Sequence, residues 1–281
     1  METIASQFPL SVWRLIHTPP AEGAWNMAVD EALLETMSCD DARPVLRLYA
    51  WSPPCLSLGY AQPVGDVDLP ALQARGWGLV RRPTGGRAIL HTDELTYAVM
   101  GPHREPRLTG GVLESYQRLS TALLNALHHL EVPAYSNSQA TTLPDGDPKG
   151  PVCFEVPSNY EITVNGKKLI GSAQARRREG ILQHGSLPLS GDLGRITQVL
   201  TFPDETRRIA SAQRLSKRAT TVAESLGITI SWEVTAAALE AAFQETLNIK
   251  LISSELTDGE LKSAEALVDV KYGNRDWTYR V

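Results

Sequence analysis

The dipeptide Asn165-Gly166 is the feature that most constrains how this chain folds. Both residue types accept the positive φ angles that a two-residue hairpin turn of type I′ requires. Apolar and polar residues alternate on either side of it, over residues 158–164 and 168–173, which is the period of a half-buried strand. The sequence therefore predicts an antiparallel β-hairpin here, followed by a further strand over residues 181–189.

The rest of the chain supplies mostly strands first and helices later. Strands are predicted over residues 11–17, 45–51, 55–59, 78–82, 88–91 and 95–100. Helices are predicted over residues 23–37, 70–76, 109–130, 192–200 and 204–215, and two more begin at Ser231 and Thr257. No Pro/Ser-rich joint separates the two parts. We expect one α/β domain over residues 1–281, with a mixed, largely antiparallel β-sheet flanked by helices, a core over about residues 11–190 and a mainly helical part over about 191–281.

The first predicted helix has two faces. Its apolar residues recur at helical spacing and belong to the core. Its polar face carries Asn26, Asp30 and Glu31, and we expect this face to be solvated.

Composition and charge narrow the class of function. The 281 residues carry a formal net charge of -5, so there is no general basic footprint for nucleic acid. The sequence has an odd number of cysteines, and they are widely spaced: Cys39, Cys55 and Cys153. This pattern indicates neither a disulfide framework nor a metal site. No apolar run is long enough to span a membrane, and the first residues do not have the pattern of a secretory signal. We expect a cytoplasmic protein with neither a nucleic-acid nor a membrane partner.

A glycine-rich segment, RRPTGGRAILH, begins at Arg81. The adjacent Gly85 and Gly86 allow backbone N–H groups to point into a concavity that holds an anion or an acyl carbonyl. Arg82 and Arg87 add charge suited to phosphate or carboxylate. The segment matches neither the standard phosphate loop nor the dinucleotide fingerprint. A plain hairpin with a Gly-Gly turn and exposed arginines explains the same residues, so both interpretations stand at this point.

Cys153 is the candidate nucleophile, and it follows a segment rich in turn formers over residues 133–150. We interpret that segment either as a lid or as a disordered loop. Lysines at positions 149, 167 and 168 give the basic surroundings in which a thiolate forms near neutral pH. The alternative is that Cys153 is a small buried hydrophobic residue, the commoner role of a free cysteine.

Three further polar residues have an ordinary structural interpretation beside a functional one. Lys168 suits a solvated position on a strand. His91 and His184 suit hydrogen-bonded structural residues. Their local sequence does not separate the two interpretations.

Four segments together resemble the biotin/lipoate A/B protein ligase family, and most of all its octanoyltransferase branch. They are NMAVDEAL at residues 26–33, RRPTGGRAILH at 81–91, CFEVPSNYE at 153–161 and KKLIGSAQARRREGILQHGSL at 167–187. Each segment alone is modestly specific, but the four in this order, across roughly residues 11–190, are highly specific. The resemblance implies the fold of a biotin/lipoate ligase catalytic domain.

The resemblance also implies an activity, in which an octanoyl group passes from acyl carrier protein to one lysine of a lipoyl domain, without a cofactor. The expected acceptor is the glycine cleavage system H protein. Cys153 would take the acyl group as a thioester, and Lys168 would contact the acyl carbonyl and assist proton transfer at the incoming amine. The remaining implied residues would bind substrate around the acyl carbonyl: Arg82, Gly85, Gly86, Arg87, His91, Gly171, Ser172, Ala173 and His184.

Several alternatives remain open. An ATP-dependent lipoate–protein ligase commonly has a third glycine where this chain has Arg87, and its adenylate chemistry gives Cys153 no necessary role. An amidotransferase that moves octanoyl from H protein also uses a cysteine, and only closeness of motif separates it. A biotin ligase is disfavoured because its usual biotin-loop motif is not evident. A non-catalytic lipoyl-domain binder, or the large subunit of a two-part ligase, is disfavoured because Cys153 and Lys168 are both present.

Overall fold

The computed structural model describes residues 7–137 and 161–281. The strands of these residues are β1 Ser11–His17, β2 Val45–Tyr49, β3 Cys55–Leu58, β4 Gly78–Arg81, β5 Ile89–His91, β6 Glu94–Gly101, β7 Tyr135–Asn137, β8 Glu161–Val164, β9 Lys167–Arg176, β10 Ile181–Pro188 and β11 Ile249–Ser253. Eight of them form one sheet in the order β11-β1-β2-β6-β10-β9-β8-β7, and three form a small sheet in the order β4-β3-β5. In the large sheet the two pairings of β1, with β11 and with β2, are parallel and the other five are antiparallel, so the predicted mixed, largely antiparallel sheet is confirmed.

The hairpin predicted from Asn165-Gly166 is present between β8 and β9. Asn165 has a φ of 50° and Gly166 a φ of 78°, as the two central positions of a type I′ turn require. The register is irregular between Ile162 and Thr163, where the strands form a bulge. The part of the prediction over residues 158–160 lies outside the described residues.

The helices of the described residues are α1 Gly23–Glu35, α2 Leu69–Ala74, α3 Val112–His129, α4 Glu205–Arg218, α5 Val222–Leu226, α6 Trp232–Leu247, α7 Asp258–Leu267 and α8 Arg275–Thr278. The predicted helix over residues 192–200 is a 3₁₀ helix, Leu193–Val199. Ser231 and Thr257 cap α6 and α7 as predicted, since each side chain accepts a hydrogen bond from the backbone N–H three residues on, which satisfies a donor that the helix leaves unpaired. No helix within the described residues is long and apolar enough to cross a membrane.

Helices cover both faces of the large sheet, because side chains of a strand point alternately to its two faces. On β2, Leu46 and Leu48 pack with α3 and α6 in one core cluster. Val45 and Tyr49 pack with α1 in the cluster on the opposite face. Arg47 has the same parity as this second pair and therefore lies beneath α1.

Two strands were not predicted. Tyr135–Asn137 forms β7 within the segment predicted as a loop; the rest of that segment, residues 138–150, lies outside the described residues. Ile249–Ser253 forms β11 in the part predicted as helical, where it pairs in parallel with β1. Both are short, and each is specified by a partner strand distant in sequence rather than by its own pattern.

The expectation that the polar face of α1 is solvated is wrong for Asn26 and Asp30, which are 0% exposed. Burial of a charged group requires a partner, and Arg47 supplies it. Its guanidinium donates to Asp30 Oδ1 at 2.6 Å and to Asn26 Oδ1 at 2.8 Å.

Candidate active site

A small, partly open cavity lies on the α1 face of the large sheet, where the small sheet approaches it. We call it the histidine cavity. Part of its wall is apolar, formed by Met27, Trp51 and Ile89. The structure brings six of the predicted substrate-binding residues to its lining: Arg82, His91, Gly171, Ser172, Ala173 and His184.

His91 is held on one side of this cavity by contacts on both ring nitrogens. Its Nδ1 lies 2.6 Å from Glu94 Oε1 and its Nε2 lies 2.6 Å from Ser57 Oγ. Arg82 Nη1 donates to the same Ser57 oxygen at 2.7 Å. Trp51 stacks on the imidazole with the rings 3.9 Å apart and nearly parallel. The ring is therefore fixed in position and orientation.

Glu94 is buried but ionised. Burial alone raises its pKa, but the charge of His91 and hydrogen bonds from His91, Ser186 and Thr96 outweigh this and bring the pKa below its ordinary value. Ser186 donates to Oε2 at 2.6 Å, while His91 and Thr96 both donate to Oε1. A carboxylate with this many donors is an acceptor only, so the His91 Nδ1 carries the proton that it donates.

His184 is held from the opposite side of the cavity by Asp30. Burial raises the pKa of Asp30, but the Arg47 charge and the contacts with His184 bring it below the ordinary value. Burial lowers the pKa of His184 and outweighs the attraction of Asp30, so the imidazole is neutral at pH 7. Nδ1–H donates to Asp30 Oδ2 at 3.1 Å, and Nε2 accepts from the Thr84 hydroxyl at 2.7 Å. One face of the glycine-rich loop is thereby tied to the sheet.

The arginines that begin the glycine-rich segment are buried, contrary to the interpretation of a hairpin with exposed arginines at Arg81 and Arg82. Arg81 donates to the carbonyls of Gly59 and Gln62 at 2.8 and 2.6 Å. Arg82 donates to the carbonyls of Gly85 and Arg87 at 3.1 and 2.9 Å. The guanidinium groups satisfy backbone acceptors that a tight loop leaves unpaired, so they shape the loop.

Close backbone approach explains one glycine beside the loop. A Cβ on Gly59 would lie 1.9 Å from the Gly86 carbonyl oxygen, whereas a Cβ on Gly85 would meet nothing within 4 Å. Gly86 itself has a φ of 93°, which favours glycine. The loop conformation therefore depends on Gly59 and Gly86 more than on Gly85.

The predicted residues Gly85, Gly86 and Arg87 line a separate, open groove of about 550 Å³. We call it the arginine groove, after Arg87 and Arg177 on its walls. It is adjacent to the histidine cavity because Thr84 lines the groove and bonds His184.

Lys168 lies on β9 but lines neither the histidine cavity nor the arginine groove. It is 6% exposed, so the interpretation as a solvated strand lysine is wrong. Its Nζ donates to Glu161 Oε1 at 2.8 Å. Glu161 is the first described residue after residue 137, and Cys153 itself lies outside the described residues. The structure therefore does not test the predicted pairing of Cys153 with Lys168.

Sequence reasoning missed several polar residues of the site. Ser57 and Glu94 orient His91, and Asp30 and Thr84 orient His184. The sequence contains a signal for Glu94. This carboxylate lies three residues after His91 and directly before the mostly apolar strand predicted over residues 95–100. Ser57 interrupts the apolar strand CLSL in the same way. A polar residue that interrupts a buried strand requires a hydrogen-bond partner.

Chemically, the histidine cavity suits an uncharged, largely apolar group. The carboxylates behind its wall have partners within the fold, Asp30 in Arg47 and Glu94 in the side chains of His91, Ser186 and Thr96, so they require no counter-charge from a ligand. Its small wall residues, Gly171 and Ala173, leave room against the strand. Within the described residues no group of His, Cys, Asp and Glu side chains is arranged to hold a metal ion.

Comparison with known proteins identifies the family. Residues 22–244 match the family model described as "Lipoyl protein ligase A/B catalytic domain". The chain belongs to this family. An octanoyltransferase LipM from Kyrpidia tusciae is 42% identical over 279 residues, which covers 96% of this chain and 100% of that protein. An octanoyltransferase LipM from Symbiobacterium thermophilum is 41% identical over 271 residues, covering 95% and 98%. The family resemblance predicted from the four segments is therefore confirmed.

Solved structures of this family share the fold. The bi-partite lipoate protein ligase of Thermoplasma acidophilum, studied with its E2 lipoyl domain, superposes with a TM-score of 0.81 at 25% identity and 96% coverage of both chains. A lipoate-protein ligase A bound with ATP superposes with a TM-score of 0.76 at 24% identity, covering 95% of this chain and 98% of that one. The second similarity shows the fold alone. The predicted fold of a lipoate ligase catalytic domain is confirmed.

Proposed function

We propose that this protein is an octanoyltransferase of lipoate biosynthesis, which carries the octanoyl group on Cys153 between donor and acceptor. The observation that carries the proposal is the histidine cavity, whose wall is partly apolar and whose polar side chains are hydrogen-bonded within the fold, which suits an uncharged acyl chain. Burial of each methylene in such a cavity contributes about 0.8 kcal/mol. The names of the relatives from Kyrpidia and Symbiobacterium support the same activity.

The donor is octanoyl-acyl carrier protein, and the first half-reaction exchanges one thioester for another. The Cys153 thiolate attacks the octanoyl carbonyl, the bond from that carbonyl to the donor sulfur breaks, and the donor thiolate leaves and takes up a proton. Because the energy of the thioester is kept, the exchange requires no ATP. The activity belongs in the cytoplasm, because a reducing compartment keeps Cys153 as a free thiol.

The acceptor is a lysine of a lipoyl domain, with the glycine cleavage system H protein as the expected example. The neutral amine attacks the octanoyl thioester and loses a proton, so an amide forms and the Cys153 thiol returns. The amine is protonated in water, so a base must assist. Lys168 is proposed to contact the acyl carbonyl and to assist this proton transfer. Its burial and its pairing with Glu161, eight residues after Cys153, support that role.

Gly85, Gly86 and Arg87 are proposed to lie beside the acyl carbonyl, with Gly171, Ser172 and Ala173 opposite. A tetrahedral oxyanion forms in each half-reaction and requires donors aimed at it. The loop conformation that Arg82 and Gly59 maintain supports this role, because it determines where the backbone N–H groups of the loop point. His91 and His184 are proposed to keep the cavity wall in place.

The experiment is to incubate the protein with octanoyl-acyl carrier protein and to locate the mass gain by peptide mass spectrometry. We expect one octanoyl group on Cys153, and we expect Cys153→Ala to abolish both the adduct and transfer to the lipoyl domain. Cys39→Ala is the matched control, since Cys39 is also a cysteine and its thiol is exposed. Turnover with ATP and free lipoate in the absence of any adduct would instead establish the ligase. An adduct formed only from octanoyl-H protein would establish the amidotransferase.

A further inference from the structure

Two arginines approach Tyr60, which lines the arginine groove. The Arg280 guanidinium carbon lies 3.7 Å from the centre of the Tyr60 ring, and that of Arg177 lies 5.6 Å from it. Both distances are within the range of cation–π attraction. The aromatic ring therefore holds two positive charges near one edge of the groove.

The polar contacts of these arginines leave most of their donors unused. Arg177 Nη2 donates to the Pro83 carbonyl at 3.0 Å, and Arg280 Nη2 donates to the Tyr60 carbonyl at 3.2 Å. Within residues 7–137 and 161–281, neither guanidinium has a carboxylate at ion-pair distance. A guanidinium has five N–H donors, so each arginine retains donors and an uncompensated charge.

The same positive charges act on the Tyr60 hydroxyl. Its pKa is lowered by a hydrogen bond with Arg280 and by the charges of Arg280, Arg177 and Lys271. The whole chain carries a formal net charge of -5, so this positive region contrasts with the rest of the molecule. A local positive region of this kind attracts and orients an anionic ligand.

The arginine groove adjoins the histidine cavity. On β9, Ala173 lines the cavity while Gln174 and Ala175 line the groove. On the opposite wall, Thr84 lines the groove and bonds His184. This arrangement suits a ligand with a charged end at the groove and an apolar end directed toward the cavity.

We propose that the arginine groove binds the phosphate of the phosphopantetheine arm on which the acyl donor carries its octanoyl group, with Arg177 and Arg280 as its ligands. The inference rests on the proposed function, because it assumes a thioester donor. Arginine suits phosphate, since its planar fork makes paired, charge-assisted hydrogen bonds. The acceptor is a poorer occupant of the groove, because its lysine brings a positive charge that these arginines repel.

The experiment compares donors with and without the phosphate. Initial rates of Cys153 acylation are measured with octanoyl-acyl carrier protein, with octanoyl-coenzyme A and with octanoyl-pantetheine, which has no phosphate. We expect the Arg177→Gln/Arg280→Gln double variant to raise KM about tenfold for the two phosphate-bearing donors, the loss expected when charge-assisted hydrogen bonds are removed. KM for octanoyl-pantetheine should be unchanged.

Two control variants accompany the measurement. Arg207→Gln removes an exposed arginine on α4 and should leave every KM unchanged. Arg177→Lys/Arg280→Lys keeps both charges and should restore most of the affinity for the phosphate-bearing donors. Recovery by lysine separates loss of an anion site from a general disturbance of the groove.

Other outcomes overturn the inference. An equal rise in KM for all three donors, or no rise for any of them, would show that the arginines do not bind phosphate. A defect confined to transfer from acylated enzyme to the lipoyl domain would assign the groove to the acceptor instead. If the unmodified protein forms no adduct with any donor, the proposed function fails, and that result is distinct from all of these.

Discussion

The histidine cavity and the arginine groove lie side by side, but the charged side chains of the two regions are partnered in opposite ways. Behind the cavity wall, Asp30 is paired with Arg47 and Glu94 contacts His91, all of them buried. At the groove, Arg177 on its wall and Arg280 beside Tyr60 are exposed and contact carbonyls and an aromatic ring. A buried charge must be neutralised by the fold itself, whereas an exposed charge remains available to a ligand. Charge therefore maintains the structure of the cavity and provides binding in the groove.

The substitution with the largest expected effect removes the buried cation, Arg47. In Arg47→Met, Asp30 is left buried without its main partner, so we expect the free energy of unfolding to fall by about 3–5 kcal/mol. Urea unfolding followed by circular dichroism measures the loss. Arg43→Met is the matched control, because Arg43 is exposed and should change stability by less than about 0.5 kcal/mol. A small effect at Arg47 would mean that the cavity charges are not structural.

A second test concerns the loop between the two regions. Gly59→Ala places a methyl group 1.9 Å from the Gly86 carbonyl oxygen, so the loop must move. We expect a loss of stability of about 1–3 kcal/mol together with slower acylation of Cys153, measured by thermal unfolding and by the adduct assay. Gly85→Ala has open space around its Cβ and should leave stability within about 0.5 kcal/mol. Equal stability losses in the two variants would show that the close approach at Gly59 does not hold the loop.

The sequence predicted the parts of the molecule that local patterns specify. Asn165-Gly166 requires only its own φ angles and the neighbouring alternation, and the hairpin is present. Thr257 with Glu260 predicts the start of α7 for the same reason. The strand Ile249–Ser253 was missed because its partner, β1, lies at the other end of the sequence. No local pattern contains that information.

The same limit explains what was missed at the site. The family segments predicted six residues of the histidine cavity because the resemblance carries tertiary information that single residues do not. Asp30 was expected to be solvated, since its partners Arg47 and His184 are contributed by distant strands. A carboxylate on a helix face cannot be known to be buried until those strands are placed against it.

The smallest expected effect tests the neutral imidazole of the cavity. Because burial lowers the pKa of His184, the folded protein binds a proton there less readily than the unfolded chain, which does so below about pH 6.5. The unfolded state therefore gains protons as the pH falls from 7 to 5.5, and stability decreases in that interval. His184→Asn keeps an N–H group for Asp30 but has no titrating ring, so its stability should depend less on pH, by about 1 kcal/mol over that interval.

The comparison uses urea unfolding of both proteins at pH 7 and pH 5.5. Asp30, Arg82 and His91 act on His184 and are present in both proteins, so the difference between the two pH dependences isolates His184. The lowered pKa values of Asp30 and Glu94 keep both carboxylates ionised in the folded state across this interval. If the variant loses as much stability as the parent between these pH values, the folded protein protonates His184, and the charge balance derived for the cavity is wrong. If the difference appears, the cavity excludes an added charge on its own wall, as an acyl-binding cavity beside a phosphate-binding groove requires.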